Sequence, residues 1–278
     1  MANATIPDVS TPPEPPHASP TSLAIHSARR LALRLACLMA CWLALLPPVA
    51  TAAAPAPTGA LPTSIVATYK IYKAGILLGR VNERFERDGN RYKITSATRA
   101  DGPFGALLRE ELSYQSEGKI GPDGLVPLVF SSTRKSDISK SFTSRFNWDA
   151  GRLIREHEES DANGRIDRET FDLPARAQDR LSSMYQFMTS MPTDQRIETL
   201  MTQGKHTDRY VYIKQGEPGI TTPAGQFSTV HYIRETKSGE SKAELWLAKD
   251  RNYFPVRVVF TDTKGTSLEQ RLVELVIR

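Results

Sequence analysis

A period of two governs what this chain can fold into. From Ile65 onward, short segments that alternate apolar and polar residues are separated by turn residues at a spacing of about 8–12 positions. Successive side chains of a strand point to opposite faces, so each such segment can bury one face and wet the other. Phe142, Ser144, Phe146 and Trp148 share one face of a segment, with Thr143, Arg145 and Asn147 on the other. The same reading gives strands at Ile65–Lys73, Val81–Arg87, Leu112–Ser116, Leu125–Thr133, Arg152–Glu158 and Ile166–Phe171. Later ones follow at Ile197–Gln203, Asp208–Lys214, Phe227–Glu235, Ala243–Ala248, Pro255–Asp262 and Ser267–Ile277. Gly89-Asn90 and Asn163-Gly164 are two-residue hairpin signals, because both positions of such a turn favour residues that tolerate positive φ. Gly118 to Gly124 and Asp149-Ala150-Gly151 read as further turns. About a dozen strands with short connections predict an all-β, mainly antiparallel domain: a large curved sheet, a half-barrel or a barrel.

One segment departs from that period. Gln178 to Met191 holds no glycine or proline, and Leu181, Met184, Tyr185, Met188 and Met191 recur at helical spacing. Asp179 suits an N-cap, since its carboxylate can accept from the free N–H groups of a first turn, and Pro192 stops the helix. The expectation is a single amphipathic helix packed on the sheet.

The N-terminal stretch has a different composition. Residues 1–28 hold six prolines and little apolar sequence, too little to offset the entropy of ordering. Arg29, Arg30 and Arg34 precede an apolar run from Leu35 to Leu46, closed by Pro47-Pro48 and by Ala50-Thr51-Ala52. This is the charged, apolar and small-residue order of a secretory signal, and the run is shorter than the roughly 20 residues that span a bilayer. The expected organisation is a signal over 1–52, a linker over 53–64 and one β-rich domain over 65–278, exported to the periplasm. An uncleaved anchor from Leu31 to Val49 and a lipobox at Leu38-Met39-Ala40-Cys41 are the competing readings. Both cysteines, Cys37 and Cys41, fall in the leader, so a cleaved chain has no disulfide, thiol nucleophile or thiolate metal site. It keeps 33 Lys and Arg against 29 Asp and Glu, and this small surplus gives no argument for nucleic acid.

Chemistry-bearing motifs are sparse. His157, His206 and His231 sit on separate predicted strands with no metal-binding spacing, so no metal and no cofactor is expected. Asp161-Ala162-Asn163-Gly164 has its glycine too early for a calcium loop and reads as a hairpin turn. No nucleophile elbow, phosphate loop or dinucleotide fingerprint occurs. Methionine, flexible and polarizable, is suited to filling irregular gaps or gripping varied apolar ligands, and three of the four after the leader lie on the predicted helix.

Several scattered stretches share an order along the chain. They are Tyr69 with Gly75 and Gly79; Gly102; Gly124-Leu125-Val126-Pro127; Asp179-Arg180-Leu181-Ser182; Thr222-Pro223-Ala224-Gly225-Gln226-Phe227; and Leu245-Trp246-Leu247-Ala248 running to Phe254-Pro255-Val256-Arg257. In this order the chain resembles a bacterial exported family, the domain of unknown function 3108, over nearly all of 65–278. That family brings no catalytic residues with it. A fainter, fold-level similarity to periplasmic lipoprotein carriers implies an apolar cavity wrapped by a curved sheet, although such carriers use more than one helix as a lid.

The leading expectation is a non-enzymatic periplasmic protein holding an apolar or lipid ligand between sheet and helix, through Leu181, Met184, Tyr185, Met188 and Trp246. The alternatives are a structural or partner-binding module for envelope assembly and a hydrolase with a dispersed site. The membrane enters only through an uncleaved leader.

Overall fold

The computed structural model describes residues 61–101, 111–160, 166–190, 192–203 and 206–278. The leader, Gly102, the turn at 161–164 and Met191 lie outside the described residues. The first eight strands are β1 (Ser64–Lys73), β2 (Ile76–Asp88), β3 (Arg91–Ala100), β4 (Glu111–Gly121), β5 (Gly124–Arg134), β6 (Phe142–Asn147), β7 (Arg152–Ser160) and β8 (Ile166–Asp172). Helix α1 (Ser182–Ser190) follows. The remaining strands are β9 (Arg196–Gln203), β10 (His206–Gly216), β11 (Gly219–Thr222), β12 (Gly225–Arg234), β13 (Lys242–Ala248), β14 (Phe254–Thr261) and β15 (Ser267–Ile277).

The strands form one antiparallel sheet in which the first and last strands pair near its centre. β1 through β8 run outward as a meander; β15 returns to the free side of β1, and β14, β13, β12, β10 and β9 run outward the other way, with β11 folded against β12 as a hairpin. Residues 63, 64 and 278 close the central pair through backbone bonds, Thr63 N to Arg278 O at 2.7 Å and Arg278 N to Ser64 O at 2.9 Å. The strand path ends at β8 and β9, which do not pair, so the sheet is open and not a closed barrel. The chain between these edges covers one of them. Gln178 makes a parallel bridge to β9, donating its N–H to Leu200 O and accepting from Thr202 N. This blunts an edge that would otherwise offer unpaired backbone groups.

The registers gather the apolar face. Ile65, Phe85, Ile94, Ser116, Phe130 and Ser144 lie opposite one another across β1 to β6, and Ala67, Glu83, Ser96, Tyr114 and Ser132 form the next row. Ile65, Phe85 and Ile94 are fully buried. A second buried cluster on the other half of the sheet joins Tyr212, Val230, Tyr232, Leu245 and Leu247 to Phe187 of α1.

Two expectations change. The Gly118 to Gly124 turn is shorter than the sequence suggested, because β4 continues to Gly121 with a bulge between Glu117 and Gly118. Gly118 lies inside the strand as a place of close approach: a Cβ there would sit 2.2 Å from Val126 O and 2.7 Å from the Tyr92 ring. The helix begins at Ser182, not Gln178, since Gln178 is drawn into the bridge with β9.

Candidate functional site

Helix α1 is fixed at its start by a buried carboxylate. Asp179 is wholly shielded from solvent and accepts from the backbone N–H groups of Leu181 (2.8 Å) and Ser182 (2.9 Å). Ser182 Oγ accepts from Asp179 N at 2.9 Å, so cap and first turn satisfy each other reciprocally. Ser116 of β4 donates to the same carboxylate at 2.6 Å, and Tyr92 of β3 lies 3.2 Å from the Ser116 hydroxyl. Burial raises the Asp179 pKa, against the pull of these hydrogen bonds.

Two glutamines tie the helix to the turn between β4 and β5. Gln186 accepts from Leu125 N (2.8 Å) and donates to Asp123 O (2.7 Å), while Gln178 donates to Leu125 O (2.9 Å). Gly124 has φ +105° and passes directly beneath Gln186 and Thr189, where a Cβ would come within 2.3 Å of Thr189 Oγ1. Two of the stretches that carried the resemblance, Gly124 to Pro127 and Asp179 to Ser182, therefore lie side by side.

The predicted apolar stripe comes together. Leu181, Tyr185 and Met188 are buried in the larger cluster, with Met184 half-buried against both clusters. The Tyr185 ring stacks on Phe85 at 5.4 Å and meets Phe254 edge-on at 5.8 Å. Its hydroxyl donates to Glu83 Oε2 at 3.3 Å, and Ser96 donates to Glu83 Oε1 at 3.2 Å. Burial pushes the Glu83 carboxyl up to about 7, and its hydrogen bonds and Arg180 offset only part of this.

Trp246 belongs to the same buried cluster but faces other partners. Its ring stacks on His231 at 4.1 Å, and the Arg257 guanidinium lies over the ring 4.3 Å from its centroid. Its neighbours Leu245 and Leu247 belong instead to the cluster that receives Phe187. Phe187 was missed because it lies off the one-sided helical stripe. Period two puts Glu83 on the face of Val81 and Phe85, and it was missed because nothing in its own strand announces the Ser96 and Tyr185 hydroxyls that hold it there.

A cleft of about 700 Å³ opens at the end of β1 to β5, lined by Arg84, Arg87, Tyr92, Lys93, Leu128 and Val129 among others; none of the five predicted ligand residues lines it. The three histidines stand on β7, β10 and β12, beside Glu169 (3.5 Å), Asp208 (3.3 Å) and Glu244 (3.0 Å) respectively. No group of three or more potential ligands that could hold a metal occurs among the described residues. No helix among them is long and apolar enough to cross a membrane.

Comparison with curated proteins gives no match. Among solved structures, the chain is similar to "a putative lipoprotein" from Parabacteroides distasonis, with 14% identity, a TM-score of 0.33, and coverage of 78% of this chain and 97% of that one. It is also similar to "a putative exported protein with YmcC-like fold" from Bacteroides fragilis, with 12% identity, a TM-score of 0.34 and the same coverage. The model of the family described as "Protein of unknown function (DUF3108)" matches residues 68–273, most of the chain, and the protein belongs to that family.

Proposed function

We propose that the protein is a non-enzymatic, exported domain that serves the cell envelope by binding a partner on its surface, with α1 as a fixed plug. The burial of the helix on several sides carries this reading: Leu181, Ser182, Ser183, Tyr185, Phe187 and Met188 are all shielded from solvent. Side chains already fill the contact that an acyl chain would need, and the double glutamine clamp opposes lifting the helix. The histidines, each beside a carboxylate on its own part of the sheet, give no support to a hydrolytic triad. Export rests on the order of the leader segments.

Met184 favours a second reading. It is half-buried and touches both clusters, which suits an apolar ligand held beside the helix by Leu181, Met184, Tyr185 and Met188. Lipid extraction and mass spectrometry on protein purified from periplasm separate the two. The plug reading expects no lipid in stoichiometric amount and a cross-linked surface partner in cells. One lipid per chain, lost in Met184→Glu, would overturn it in favour of the second.

A further inference from the structure

On the face of the sheet opposite the row of Ile65 and Phe85, the registers bring five cations into one line. Arg257 pairs with Arg271, Arg271 with Lys70, Lys70 with Arg80, and Arg80 with Arg99, each on the adjoining strand of β14, β15, β1, β2 and β3. Direct partners share a face, and like charges placed opposite one another are destabilising. Three carboxylates relieve the row, Glu269 and Asp101 from its sides and Glu111 at its β4 end, directly opposite Arg99. Glu269 binds Arg257 and Arg271, Asp101 binds Arg80, and Glu111 binds Arg99 together with Lys135. Among the described residues, these six cations against the three acids that bind them leave a surplus. The guanidiniums are open to solvent, with side-chain exposures of 35% for Arg257, 44% for Arg271, 48% for Arg80 and 65% for Arg99.

We propose that this line is a docking surface for a linear acidic glycan, a polymer with an acidic group on successive sugars. The shape of the charge selects it. Adjacent strands stand about 4.8 Å apart, so the row repeats its charge at that interval over about 19 Å. This suits an extended chain of charged pyranoses. The next row on the same face runs from Glu274 through Thr68, Asn82, Ala97 and Ser113 to Thr133, and the hydroxyl and amide groups of Thr68, Asn82, Ser113 and Thr133 match the hydroxyls of a sugar. A planar anionic membrane fits less well, because the row is one residue wide and Glu269 stands beside it. Single-stranded nucleic acid would want free stacking rings, whereas Trp246, next in line beyond Arg257, is only 7% exposed and already stacked, and Tyr72 beside the row lies under the Arg271 guanidinium. This assignment deepens the surface-binding reading above by naming the partner's chemistry. It can fail while the plug reading stands, since bound lipid is measured separately.

The test is calorimetric titration of the protein with polygalacturonate, with neutral dextran and phosphatidylglycerol vesicles as comparators. Binding to polygalacturonate alone is expected, weakening by about tenfold or more as salt rises past the point where surface charges are screened. Arg80→Gln with Arg99→Gln should lower the affinity by about tenfold while the circular dichroism spectrum is unchanged. Arg196→Gln with Arg209→Gln, which removes the same charge from β9 and β10, should leave binding intact. Absence of polygalacturonate binding, equal losses in both double variants, or stronger binding to the vesicles would each overturn the proposal.

Discussion

Glu83 and Glu269 are both strand carboxylates, and each is held by two side chains, yet their protonation is driven in opposite directions. Glu83 receives two neutral hydroxyls, from Ser96 and Tyr185, beneath the helix. Glu269 receives two guanidiniums, Arg257 Nε at 2.6 Å and Arg271 through Nε (2.8 Å) and Nη2 (2.7 Å). Burial is the largest influence on the first and raises its pKa to about 7. The bond from Arg271 is the largest influence on the second and lowers it. At Glu83 neutral donors recover only part of the cost of taking a charge out of water, whereas at Glu269 opposite charge reverses it. The inner face therefore holds a carboxyl close to neutrality, and the outer face an ion.

The largest test removes the ring that closes the inner site. Tyr185→Ala deletes the stack on Phe85, the edge contact with Phe254 and one donor to Glu83. A loss of about 3–5 kcal/mol is expected in urea denaturation at neutral pH, typical of a large buried aromatic cut to alanine. Tyr185→Phe keeps the ring and should cost about 1 kcal/mol. Near-equal effects of the two would mean that the hydroxyl dominates, and the contrast between dry and ionic sites would lose its packing half.

The two faces were unequally legible in the sequence. Alternation put Phe142 and Phe146 on one face, and the helical spacing of Leu181, Tyr185 and Met188 named a stripe that is buried as read. Asp179 was read as the cap it is. What could not be read were facts of register. That Arg257, Arg271, Lys70, Arg80 and Arg99 stand abreast depends on how five strands slide past one another, and bulges at Thr68/Tyr69 and Ile71/Tyr72 shift that slide locally. The placing of Trp246 between His231 and Arg257 is likewise a cross-strand fact, so sequence reasoning grouped it with the helix. The open edges also escaped the pattern, because period two reports faces and not whether the last strands meet.

The next test uses pH. Glu83 has a folded pKa near 7 against an ordinary glutamate value of 4.5, so the folded chain holds a proton that the unfolded chain releases between those values. Stability from this group is thus fully present below about pH 4.5 and is lost as pH rises through about 7. Glu83→Gln keeps the shape without the charge. It should be more stable than the parent at pH 8, by on the order of 1–3 kcal/mol, and should flatten the fall between pH 5 and 7, with melting temperature followed across that range. A variant that is less stable at pH 8 would place the Glu83 charge among stabilising contacts and erase the distinction from Glu269.

The smallest effect belongs to Glu269, and its sign is reversed. A lowered folded pKa means that its contribution is present above the unfolded glutamate value and is lost as pH falls through the folded one. Glu269→Gln should therefore cost stability at pH 7 and cost nothing in strong acid, where the parent carboxyl is protonated too. The two guanidiniums are 35% and 44% exposed, so solvent screens the site and the loss at pH 7 should be about 1 kcal/mol. Raising the salt to about 1 M shortens the screening length to about 3 Å and should shrink that loss further, whereas the Glu83→Gln difference, set by desolvation under the helix, should hardly move. Equal salt dependence at the two positions would show that Glu83 is wetter than its packing against Tyr185 implies, and that charge screening, not burial, governs both.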